Sequence, residues 1–155
     1  MSATDSAGNH YTIDQDVNDG SAGDRHLVLS SLRLASGLPA GATITLNFPS
    51  SGEYHASVDE FSGLSARDQH AGASATAQAF TAGPTPTTAQ ANELLFGAVG
   101  TETGTTPTFA TGWQRLGVLN VGSDYQATAY KTVAAIGAYS VTGTAGGTWM
   151  AAIIT

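Results

Sequence analysis

Apolar residues recur at every second position along most of the chain, the period of a strand with one face buried. Thr43-Ile44-Thr45-Leu46-Asn47-Phe48 is the cleanest case, and it points Ile44, Leu46 and Phe48 inward. Turn chemistry brackets it, with Leu38-Pro39-Ala40-Gly41 before and Pro49-Ser50-Ser51-Gly52 after. The same reasoning predicts strands over 11–17, 26–34, 54–61, 113–121, 125–136 and 139–142. A last strand over 148–154 sets Trp149, Ala151 and Ile153 on one face. Residues 73–80 alternate Ala with Ser, Thr and Gln, the pattern of an edge or a solvated face. Residues 93–99 form a continuous apolar run, as a central strand does. Residues 83–88 hold two prolines and read as a stiff connection. No segment carries a helical stripe. About nine or ten strands with frequent turns are the pattern of an all-β, antiparallel, jelly-roll-like β-sandwich. One domain over residues 1–155 is long enough to bury a core.

Charged residues make up only 11% of the chain, so its polar surface must come from Thr, Ser, Asn, Gln and Gly. The net charge is -7, and the five cations, Arg25, Arg33, Arg67, Arg115 and Lys131, are scattered. A phosphate backbone or an anionic membrane needs clustered cations, so neither nucleic acid nor a membrane surface is expected as a partner. The strongly apolar run 150–154 is too short for membrane insertion. With no cysteine there is no disulfide, thiolate metal site or Cys nucleophile. Residues 1–25 lack the apolar core of a signal peptide, which suits a mature or excised piece or a virion component.

Few motifs suggest chemistry. Asp14, Asp16, Asn18 and Asp19 lead to Gly20 in the manner of a calcium loop, where carboxylate and carbonyl oxygens converge on a tight turn. The match is partial, because Arg25 stands where the bidentate Glu belongs. Four histidines lack ligand spacing, although neighbouring strands would bring His26 near His55 for zinc. Asp59 and Glu60 are adjacent on one strand and point to opposite faces, so they are not a facing acid–base pair. No nucleophile elbow is present, and no enzyme is expected. The only lysine, Lys131, reads as an isopeptide candidate or as an edge lysine that discourages aggregation. Trp113 and Tyr125 are candidate stacking residues for a glycan, with core packing as the competing role for Trp113.

Taken together, Asp5-Ser6-Ala7-Gly8-Asn9-His10-Tyr11-Thr12, Ala40-Gly41-Ala42-Thr43-Ile44-Thr45, Glu60-Phe61-Ser62-Gly63-Leu64, Asn92-Glu93-Leu94-Leu95-Phe96-Gly97, Tyr130-Lys131-Thr132-Val133 and Gly147-Thr148-Trp149-Met150-Ala151-Ala152 resemble a β-sandwich module of large secreted bacterial surface proteins, also seen in phage structural proteins. The resemblance implies an extracellular, cell-surface or virion location and brings no catalytic residues with it. In such modules an apolar first strand precedes the Asp5–Tyr11 turn, and here only Met1-Ser2-Ala3-Thr4 do so. A missing strand would open an edge for a strand of another chain. Otherwise residues 1–4 form a short edge strand. The expected function is a structural or adhesive module that assembles as a homo-oligomer through an exposed strand edge. The alternative is a carbohydrate-binding module. No cofactor is expected unless calcium binds.

Overall fold

The computed structural model describes every residue except Asp24, Ala35 and Ser36. The described residues form twelve antiparallel strands in three sheets and no helix. The first sheet has the order β3 (His26–Ser31), β2 (His10–Asn18), β1 (Ser2–Asp5), β4 (Ile44–Asn47). The central sheet has the order β5 (His70–Thr76), β12 (Thr148–Ile154), β7 (Glu93–Glu102), β10 (Asp124–Val133), β9 (Gln114–Val121). Three short strands, β6 (Ala79–Ala82), β11 (Val141–Thr144) and β8 (Thr108–Phe109), complete the fold.

The expected β-sandwich is present, and its central sheet is covered on both faces. On one face Leu95, Val99, Ala127, Trp149, Ala151 and Ile153 pack against Phe80 and Ala82 of β6 and Val141 of β11. On the other, Ala98, Met150 and Ala152 pack against Val17, Leu27 and Leu29 of the first sheet. Double burial explains why β7 and β12 read as continuous apolar runs, since both sets of alternate side chains must be apolar.

Ser2–Asp5 is not a missing strand. β1 is an inner strand, paired through Ala3 with Tyr11 of β2 and Leu46 of β4. The Asp5–Tyr11 stretch is a turn organised by one carboxylate. Asp5 Oδ1 accepts from the Ala7 and Asn9 amides at 2.9 and 3.0 Å, Oδ2 accepts from Asn9 Nδ2 at 2.9 Å, and the Tyr11 hydroxyl donates to Oδ2 at 3.4 Å. Gly8 takes φ +84°, which this turn requires and a side chain would resist. Burial pushes the Asp5 carboxyl up, but the hydrogen bonds from Asn9, Ala7 and Tyr11 outweigh it and hold the carboxyl below its ordinary value. A depressed native pKa adds stability above the unfolded-state value of about 3.9, and that stability is lost as pH falls through the native pKa. Asp5→Asn should therefore lower the melting temperature at neutral pH, and the gap should begin to narrow only below about pH 4 and close as pH falls through the native pKa. Thermal unfolding of both proteins across pH checks this, and a constant gap at all pH values would refute it.

Several expected strands differ from those observed, and residues 73–80 divide at Ala77-Gln78 between β5 and β6. Residues 54–61 form no strand, and Tyr54 and Val58 stay 66% and 64% exposed. This segment lies across the β9–β10 side of the central sheet, held where Phe61 meets Phe96 and Tyr130 with centroids 6.1 and 5.7 Å apart, and where Gln126 Nε2 donates to Ser57 Oγ at 3.3 Å. Leu46 and Phe48 also do not point inward as expected but remain 41% and 42% exposed. Leu46 lies in β4, which pairs only with β1, and Phe48 lies just past its end.

Candidate functional site

Which strands end a sheet decides which backbone groups stay open. β9 is the longest edge strand and pairs with β10 alone. Among the described residues its outer side has no backbone partner. The register shifts at Thr128/Ala129, leaving Leu116 as the extra residue of a β-bulge. Leu116, Leu119 and Val121 are 39%, 40% and 41% exposed, an apolar stripe along the open edge. A cavity of about 130 Å³ separates part of this stripe from Ser57 and Asp59 of the overlying segment. The other long edge, β5, is better shielded: His70 Nδ1 lies 2.6 Å from Gln15 Oε1, and Ser74 Oγ donates to the Asn18 carbonyl at 2.9 Å.

The calcium candidates do not sit on a loop. Asp14, Asp16 and Asn18 lie within β2, and only Asp19 lies beyond it. Strand geometry and a bulge at Asp14 separate them. Asp14 is buried against Arg67, Asp16 Oδ1 lies 2.5 Å from His26 Nδ1, Asn18 Oδ1 accepts from the Gly20 amide, and Asp19 Oδ1 accepts from the Ser21 amide at 3.0 Å. Burial raises the Asp19 carboxyl, while hydrogen bonds from Ser21 and Arg25 and the Arg25 charge bring it below its ordinary value. Arg25 also reaches Glu102, so it ties the β2–β3 loop to the end of β7. Among the described residues, no three His, Asp or Glu side chains converge on one point.

The two stacking candidates are held apart. Trp113 is half-buried against the core and tilted 34° to Phe109 at 6.1 Å. It precedes Gln114, which pairs with Tyr130, whereas Tyr125 pairs with Asn120 at the far end of the same hairpin. At about 3.3 Å per residue that separation is on the order of 17–20 Å. The more exposed ring pair is Phe48 with Tyr54, 5.2 Å apart and tilted by 50°, so it is not a flat platform. Lys131 is on β10, an inner strand, so it is not an edge lysine, and its amine lies beside Gly112.

One cluster escaped the sequence reading. The register of β2 against β3 slips between Ile13 and Gln15, making Asp14 the extra residue of a bulge. The bulge turns its carboxylate inward, where its side chain is 1% exposed. Arg67 Nε stands 3.1 Å from Asp14 Oδ1, a contact too oblique for a hydrogen bond. Beside this pair is a pocket of about 290 Å³, also lined by Thr12, Ser31, Arg33 and Ser65. No local pattern announces it, because its parts come from three separated stretches of chain. No family model, curated protein or solved structure matches this chain.

Proposed function

We propose that the chain is a non-catalytic structural or adhesive module of an extracellular surface, filament or virion, and that it assembles by strand addition at β9. The observation that carries this reading is an eight-residue edge strand with an open backbone and an apolar stripe. Soluble proteins usually shorten such an edge, charge it or cover it. Here Arg115 is the only charged residue on the strand. Antiparallel pairing with a second copy, centred between Gly117 and Val118, sets Leu116 opposite Leu119 and Arg115 opposite Asn120, so no like charges meet. The low charge content agrees with a surface built for packing.

Sedimentation across a range of protein concentrations tests the reading. Wild type should associate reversibly, and Leu119→Lys should weaken association by roughly tenfold or more without changing the melting temperature. A wild type that stays monomeric at every concentration would overturn the proposal, as would a Leu119→Lys variant that associates like wild type.

A further inference from the structure

We propose that the pocket at the Asp14 bulge binds a small hydroxylated carboxylate, the chemistry of a uronic acid. The distribution of cations is the first support. Of the five in the chain, Arg25 is engaged by Asp19 and Glu102, Arg115 lies on the β9 edge and Lys131 on β10. Both of the others, Arg33 and Arg67, line this one pocket. In a protein of net charge -7, an anion finds little attraction elsewhere.

The second support is how Arg67 is placed. The Asp14 carboxylate lies 3.1 Å from its Nε and anchors the guanidinium by charge, without a directional hydrogen bond, while the Arg67 side chain keeps 35% of its surface exposed. A guanidinium approached only on its Nε side leaves its terminal amines open as a fork that matches the two oxygens of a carboxylate. Asp14 is a positioning residue here, because its oxygens are sealed from solvent and have no hydrogen-bond partner among the described residues. For stability alone, a well-packed apolar side chain would serve better than this buried charge. Arg33 is exposed and has no ion-pair partner among the described residues, so its charge is available to a ligand.

The remaining lining sets the ligand class. Thr12, Ser31 and Ser65 supply hydroxyls that both donate and accept, as recognition of a polyol requires. The site is an open pocket rather than an enclosed cavity, and its volume of about 290 Å³ leaves room for a single sugar unit with one side in solvent. The site is separate from the β9 edge, so it stands or falls independently of the assembly reading.

Titration of the isotope-labelled protein with sodium glucuronate, followed by amide NMR, tests the proposal. Saturable shifts should appear at Thr12, Ser31 and Ser65, and glucose at equal concentration should not produce them. Arg33→Gln leaves the Asp14–Arg67 pair intact and should weaken glucuronate binding roughly tenfold, the scale of one lost charge-assisted contact. Three results would overturn the proposal: no saturable shift, equal shifts with glucose, or wild-type affinity in Arg33→Gln.

Discussion

Phe80→Ala should cost about 3–5 kcal/mol, a large share of the stability of a domain this size. Phe80 is 0% exposed and is the main apolar anchor of β6. Its ring meets Phe109 edge-on at 5.6 Å and Trp149 at 6.3 Å, so it joins the three-stranded sheet to the central one. Removing it leaves a void that β6, short and paired only with β11, cannot fill without breaking its own ladder. Urea unfolding should give a lower midpoint at an unchanged slope. Trp149 emission should also shift to the red in the folded baseline. A loss below about 1 kcal/mol would mean that the two sheets are held elsewhere.

Gly143→Ala should also be strongly destabilising, near or beyond the upper end of the roughly 1–3 kcal/mol of overpacking. The cause is not backbone freedom, since Gly143 is not among the glycines with positive φ. Gly143 sits in β11, between Phe80 of β6 and Phe109 of β8 in register. A methyl group there would overlap the Thr108 carbonyl oxygen and come within 2.7 Å of the Phe80 ring atom Cζ. The ring can move, but the carbonyl belongs to the pairing strand and cannot. Combining Gly143→Ala with Phe80→Ala should therefore be less costly than the sum of the two, yet still worse than Phe80→Ala alone. Full rescue in the double variant would show that the ring, not the carbonyl, sets the limit. Chemical denaturation of all three variants decides this.

Several elements were legible because local pattern and tertiary role coincide. The runs at β7 and β12 are apolar on both faces because each strand is packed from two sides. The Asp5 turn carries its acceptor, its Gly8 and its Asn9 donor within a few residues, so its chemistry is local. Residues 54–61 misled for a related reason. The alternating Tyr54, Ala56 and Val58 are exposed and the segment meets the sheet through Phe61; alternation does not reveal whether a neighbouring backbone completes a ladder.

The β2 bulge shows the limit most clearly. Strict alternation puts Tyr11, Ile13, Gln15 and Val17 on one face. The extra residue at Asp14 sends Ile13 to the outer side with Ser30, while Val17 joins Leu27 in the core. Ile13 is therefore 40% exposed, and a carboxylate takes the inward position. The pairing of Asp14 with Arg67 and the open edge at β9 follow from the same kind of long-range choice.

By itself the sequence determined that the chain is all-β and antiparallel, which strands lie deepest, and where the Asp5 turn falls. Each of these depends on side-chain period or on groups a few residues apart. Only the tertiary structure decided the number of sheets, the strand left at the edge and the pocket with two arginines. Those depend on which backbones meet across the chain, and no local period encodes that.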